Sequence, residues 1–331
     1  MDVQFQNNSL SVSYQNKYFQ LHPVWLRERL PGEEFFDVDT HQRLYEPSSI
    51  DLDLQISSAA LSDHLLNIEF NDGVKGSYNM NDLLLEMDDE KNKRGPLPKR
   101  VLWNSSLSQF PEAQFEEGMA EKKSMYDLLI NFYKYGFVII KNVPTENKYL
   151  LKFANSIGPV KNTNFGEYFD VMSKPNPNDL AYKPIALPPH TDNPYRKPTA
   201  PGIQFLHCLQ NEVSGGFSTL VDGFAVAEHI KTRDPEAFQS LTTTNLRYQF
   251  QDKDIVLENW GELIELDDDG DYKQVRYSTR VDYVPPLDTE KLNTFYRSRK
   301  LLSELYSASD FELKFKLQPG DIMMFDNHRL L

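Results

Sequence analysis

The chain has 331 residues, with 35 Lys and Arg against 49 Asp and Glu, a formal net charge of −14. That balance argues against nucleic acid or an anionic membrane surface as the partner, since both require clustered positive charge. A hydrophobic share of 40% and a charged share of 25% suit an ordinary soluble globular protein, while the one cysteine, Cys208, excludes an internal disulfide and a thiolate-rich zinc site.

The first twenty residues alternate polar and apolar types without the apolar core of a signal peptide, and no apolar run is long enough to span a bilayer. A cytoplasmic location is therefore expected. Residues 1–90 predict a small β-rich N-terminal domain. In it Leu10, Val12 and Tyr14 alternate with Ser11 and Ser13, and Leu66, Ile68 and Phe70 lead into the turn Asn71-Asp72-Gly73. The charged, proline-bearing stretch 91–104 is assigned to a linker, which leaves 105–331 as the main domain.

Met125, Leu128, Leu129 and Phe132 fall at helical spacing over 122–135, with Gly136 where a C-terminal cap belongs. A buried strand at 137–140 and an amphipathic helix at 147–157 follow. Asp234-Pro235 places a capping carboxylate before a proline at the first helical position. A helix over 287–308 carries Leu292, Phe295, Leu302 and Leu305 on its apolar stripe. Leu313, Phe315 and Leu317 then alternate with charged residues, and Pro319-Gly320 turns the chain into the apolar run 322–325. Many short strands with a few helices predict a mostly β, α+β fold: an antiparallel sandwich or jelly roll with helices on one side.

The richest local pattern is His190-Thr191-Asp192, preceded by Pro188 and Pro189, which favour extended backbone. In a strand, residues two apart share a face, so His190 and Asp192 can hold one metal ion while Thr191 points away. One imidazole and one carboxylate are two thirds of the facial triad of non-haem Fe(II) oxygenases.

Four ordered motifs carry a resemblance: H-T-D-N-P-Y over 190–195, P-G-I-Q-F-L-H-C over 201–208, G-G-F-S-T-L-V-D-G over 215–223 and G-D-I-M-M-F-D-N-H-R-L-L over 320–331. Together they resemble the γ-butyrobetaine hydroxylase branch of the taurine-dioxygenase-like Fe(II)/2-oxoglutarate oxygenases. The resemblance implies a double-stranded β-helix (jelly roll) and an enzyme that couples oxidative decarboxylation of 2-oxoglutarate by O2 to hydroxylation. It makes His190 and Asp192 the first two Fe(II) ligands. The carboxylate of Asp192, in place of the small residue of halogenating relatives, implies hydroxylation. Ser218, with Thr219 as the less favoured neighbour, matches the hydroxyl that binds the co-substrate carboxylate. His328 fills a variable motif position, and no ligand role is carried onto it. The family's distal histidine and 2-oxoglutarate arginine fall after Leu331, so the chain is expected to continue beyond that residue.

The positions matching the family's trimethylammonium cage are Phe165, Phe169 and Tyr182. Asn193 replaces a residue that is commonly aromatic, and Arg280 lies where the substrate's acidic end is contacted. The implied substrate is a γ-butyrobetaine-like zwitterion with a carboxylate or phosphonate tail, as in carnitine biosynthesis, and the implied assembly is a homodimer. His22-Pro-Val-Trp-Leu-Arg-Glu-Arg29 resembles the family's N-terminal domain, which usually carries zinc. With no cysteine before Cys208 and Val74 at the histidine position, zinc is not expected, and His41 and His64 are assigned to the surface. Two other readings stay open: a taurine-type dioxygenase acting on another small anion, and a non-catalytic binding module lacking the distal histidine.

Overall fold

A computed structural model describes residues 2–87, 97–115, 122–171, 187–197, 202–212 and 215–331. The chain divides into two compact units, Met1–Leu97 and Pro98–Leu331. In the first, the strands Asp2–Gln6, Ser9–Tyr14 and Lys17–Leu21 form an antiparallel sheet. Its tight turns place Asn7 and Asn8, then Gln15 and Asn16, at positive φ, the backbone that two-residue hairpins require. Ile56–Ser62, Leu65–Phe70 and Lys75–Asn79 form a second antiparallel sheet. Alternation buries Leu10, Val12, Leu66, Ile68 and Phe70 in one core with Leu26 and Ile56. His41 and His64 are exposed, and Val74 packs against that core.

The second unit begins before the main domain expected from the sequence. Residues 98–104, assigned above to a linker, are held by the body of this unit. Val101 N–H donates to Lys134 O at 2.8 Å, and the Trp103 indole donates to Tyr135 O at 2.7 Å. Trp103 is buried, and burying an indole outweighs the polar character of its neighbours.

The Lys122–Tyr135 helix ends at Gly136, whose φ of 78° is a left-handed backbone that side chains disfavour, and the chain passes at once into the Phe137–Lys141 strand. That strand lies in a four-stranded sheet ordered Glu112–Gln114, Phe137–Lys141, Ile322–Asp326, Ile203–His207. Period-2 alternation sorts its side chains. Phe137, Ile139, Met323, Leu206 and Phe325 meet Leu220 and Leu313 on one face. Val138, Ile140, Ile322, Met324 and Phe205 meet Leu128 and Phe153 of two helices on the other.

The helix Tyr149–Ile157 starts two residues later than its apolar pattern suggests, because Lys148 sits at φ 66°. Asp234 caps Pro235–Thr243 through Ala237 N–H at 3.0 Å, and Asp288 caps Thr289–Tyr306 through Lys291 N–H at 2.9 Å. These helices and Gly223–Arg233 cover a core that includes Leu246, Tyr248, Ile264 and Val275. The whole is a mixed α+β fold, mostly β. No helix among the described residues is long and apolar enough to cross a membrane.

One ion pair ties the second unit together. Arg329 and Asp222 are 1% and 0% exposed, with Nε–Oδ1 at 3.0 Å and Nη2–Oδ2 at 2.6 Å. Arg329 also donates to Lys134 O and Val101 O, while Asp222 accepts from Trp103 N–H and caps the Gly223–Arg233 helix. Arg329→Met leaves a buried carboxylate without its cation. It is expected to lower the stability of this unit by about 3–5 kcal/mol, read as a shift of its transition in chemical denaturation.

Candidate functional site

The 190–192 segment is not part of a strand, contrary to expectation. It is held by tertiary bonds instead of a ladder. Thr191 is buried, its N–H donates to Tyr277 O at 2.8 Å, and its Oγ1 accepts from Tyr277 N–H at 2.9 Å. With Thr191 so anchored, His190 and Asp192 still face one another, with Nε2 to Oδ1 at 3.4 Å.

His190 Nδ1 lies 2.9 Å from Pro188 O. A carbonyl can only accept, so Nδ1 carries a proton and the neutral ring presents a lone pair on Nε2. That lone pair confronts a carboxylate oxygen, an arrangement that calls for a proton or a cation between them. Burial disfavours charge on His190, but the hydrogen bond and charge of Asp192 outweigh it and hold the imidazole above its ordinary value. Burial likewise raises Asp192, and is outweighed by the hydrogen bond and charge of His190, then by Gln204 and Arg280, so its carboxyl lies below the usual range. Gln204 Nε2 donates to Asp192 Oδ2 at 3.3 Å, while Asn327 bonds the Asp192 backbone twice. Arg280 is exposed and close enough to act on both groups electrostatically. Among the described residues no third His, Cys, Asp or Glu joins this pair in a metal-holding group.

Ser218 and Thr219 lie on the Ser218–Val221 strand, paired with Phe315 and Lys314. Ser218 shares a face with Leu220, which packs with Leu206, and Leu206 shares a face with Gln204, the donor to Asp192. Thr219 points the other way and is exposed. Register thus separates two hydroxyls that the motif leaves adjacent. His328 donates its N–H to Asp326, and its ring lies against Gly202.

Phe165 and Phe169 come together with ring centroids 6.3 Å apart, and Phe169 is 53% exposed. Tyr182 lies outside the described residues. Sequence reasoning missed Phe250, which sits edge-on to Phe165 at 5.9 Å and stacks on buried Tyr195 at 5.0 Å. Its only signal was alternation with Leu246 and Tyr248 along one strand. Asn193 adopts φ 52°, and its side-chain oxygen accepts from the Tyr195 hydroxyl, so it aims the ring that backs Phe250. Arg196 bonds Asn164, joining the Phe165 segment to the one that carries His190 and Asp192.

Residues 104–331 match the family described as Taurine catabolism dioxygenase TauD, TfdA family. The chain belongs to this family. It is a dioxygenase of the TauD/TfdA kind. Trimethyllysine dioxygenase of Bos taurus is 28% identical, over 99% of this chain and 80% of that protein. Gamma-butyrobetaine dioxygenase of Pseudomonas sp. (strain AK-1) is 28% identical, over 94% and 82%, and that of Homo sapiens 27%, over 97% and 85%. The crystal structure of AAD-2, in complex with Mn(II) and N-oxalylglycine, is similar in fold, with a TM-score of 0.50 at 13% identity, covering 70% of this chain and 88% of that one.

Asn259, buried, donates to Pro194 O at 3.2 Å and to Arg196 O at 3.0 Å, holding the turn that follows Asp192. Asn259→Ala is expected to cost about 1–3 kcal/mol for the carbonyls left unpaired. Faster amide exchange over 193–197 in deuterium, with little change elsewhere, is the measurement.

Proposed function

We propose that this TauD/TfdA dioxygenase is an Fe(II)- and 2-oxoglutarate-dependent hydroxylase of a small zwitterion bearing a trimethylammonium group and a short acidic tail, built on a double-stranded β-helix. The donor set fits iron. An imidazole lone pair with its other nitrogen fixed by a carbonyl, beside a carboxylate whose second oxygen is held by an amide, is a usual nitrogen–oxygen ligand pair with outer support. Such a centre supplies, when bound, the coupling of 2-oxoglutarate decarboxylation by O2 to substrate hydroxylation.

The chain's own residues supply orientation. Ser218 is assigned to the co-substrate carboxylate, because it faces the same interior as Gln204, and Thr219 is not. Arg280 takes part in no ion pair with the described residues, and its guanidinium is assigned to the substrate's carboxylate or phosphonate. The observation that carries the substrate class is the aromatic wall of Phe165, Phe169 and Phe250, tied through Tyr195 and Asn193 to the turn after Asp192. Ring faces attract quaternary ammonium groups, and phenylalanine does so without adding a polar group to the pocket. Relatives named for γ-butyrobetaine and trimethyllysine act on compounds with that cationic group. Tyr182 is proposed as a further cage residue.

Succinate release by the full-length protein is the test, with γ-butyrobetaine, trimethyllysine, a trimethylammonium phosphonate and taurine as substrates. Turnover of a trimethylammonium compound and none of taurine is expected. Phe165→Ala is then expected to raise KM roughly 2- to 30-fold, the equivalent of about 0.5–2 kcal/mol of cation–π attraction. Turnover of taurine alone overturns the substrate class, and undiminished turnover by His190→Ala overturns the site.

A further inference from the structure

Asn327 grips Asp192 in a way that its motif does not suggest. Asp192 N–H donates to Asn327 Oδ1 at 2.6 Å, and Asn327 Nδ2 donates to Asp192 O at 3.0 Å. A primary amide thus satisfies both polar groups of one residue's backbone, as a neighbouring strand would, where no strand is present. The amide is 2% exposed and 135 residues distant in sequence. Because Asn327 both donates and accepts, neither aspartate nor an apolar residue can reproduce the pair of bonds.

The clamp is anchored on its own side. Asn327 N–H donates to Gly202 O at 2.8 Å, one residue before the strand that carries Gln204. Asp326 N–H donates to Gly136 O at 2.7 Å, and Arg329, two residues on, is locked by Asp222. Asn327 therefore has little freedom, and whatever it holds is held in place. On the other side, Asp192 has only its side-chain torsions left. Gln204 takes Oδ2 and leaves Oδ1 turned to His190 Nε2.

We propose that Asn327 is a positioning residue for the metal-binding carboxylate. Its amide fixes the backbone of Asp192, so that Oδ1 meets His190 Nε2 at coordinating separation before any metal arrives. The inference rests on the Fe(II) reading above and goes beyond it by assigning the residue that preorganises the site. Ligand-orienting neighbours of this kind typically contribute a factor of 10–100 in metal affinity.

Mn(II) binding to the full-length protein, followed by electron paramagnetic resonance and paired with a thermal melt, tests it. Asn327→Ala and Asn327→Asp are expected to weaken Mn(II) binding by about 10- to 100-fold and to change the Mn(II) spectrum, while keeping a cooperative melt. In an Asp192→Ala background, Asn327→Ala is expected to add no further loss, because its effect runs through that carboxylate. Equal affinity in wild type and Asn327→Ala, with His190→Ala still deficient, overturns the inference and leaves the metal reading standing. An equal loss in the Asp192→Ala background, or a variant with no cooperative melt, also overturns it by assigning Asn327 to the fold. Absence of Mn(II) binding in the wild type, or full binding in His190→Ala, removes the metal reading and the inference with it.

Discussion

The second unit depends on the Arg329–Asp222 pair. Two full charges removed from water lose several kcal/mol of hydration each, and such a pair persists only where geometry and extra hydrogen bonds compensate. Here both carboxylate oxygens are matched by the guanidinium, and its remaining donors reach Lys134 O and Val101 O. The backbone has yielded to admit it. A Cβ on Gly136 would stand 2.9 Å from Arg329 Cδ, and one on Gly223 would stand 2.7 Å from Arg329 O. Two glycines far apart in sequence thus answer to one arginine. Between them they release the end of a helix, the start of another, and the turn that presents Asn327.

This arrangement explains how a site can be rigid without lying on regular structure. His190 and Asp192 occupy a segment with no strand partner, where backbone groups would ordinarily go to water. Tyr277 takes the N–H and the hydroxyl of Thr191, Asn327 takes both backbone groups of Asp192, and Asn259 takes the carbonyls of Pro194 and Arg196. Three side chains or backbones do for this loop what a ladder does for a strand. The side chains of His190 and Asp192 are left with few torsions, as a preorganised site requires.

Local chemistry made much of the fold legible in advance. The apolar spacing over 122–135, the glycine after it, and the carboxylate at 234 act within a few residues of themselves, and the first helix ends and the second begins where these signals stand. Trp103 was hidden by its neighbours: charge and proline dominate the segment, while one indole decides where it packs. The extended character expected of 190–192 came from two prolines, which bias the backbone but cannot supply a ladder partner. Gln204, Phe250, Asn259 and Asn327 escaped for a shared reason. Each is an ordinary residue on its own element, and its role exists only through a partner that the fold brings from 12 to 135 residues away.

The departures from the family's aromatic pattern follow from the same geometry. At 193 the backbone is left-handed, a conformation that asparagine tolerates far better than an aromatic side chain. Its amide oxygen then holds the Tyr195 hydroxyl, and the tyrosine ring, nearly parallel to Phe250 at 21°, presses that residue toward Phe165. With asparagine at 193, the rings of Tyr195, Phe250 and Phe165 still pack in sequence. The turn sets the Tyr195 ring against Phe250, whose edge meets Phe165, itself paired with Phe169. Neither ring of that pair carries a phenol, so in the proposed cage the two would attract a cation through their quadrupoles. The proposed function gives the acidic end of the substrate to Arg280, whose charge also favours the ionised form of Asp192. On that proposal a zwitterion engages both the rings and the guanidinium, whereas a simple anion engages the guanidinium alone.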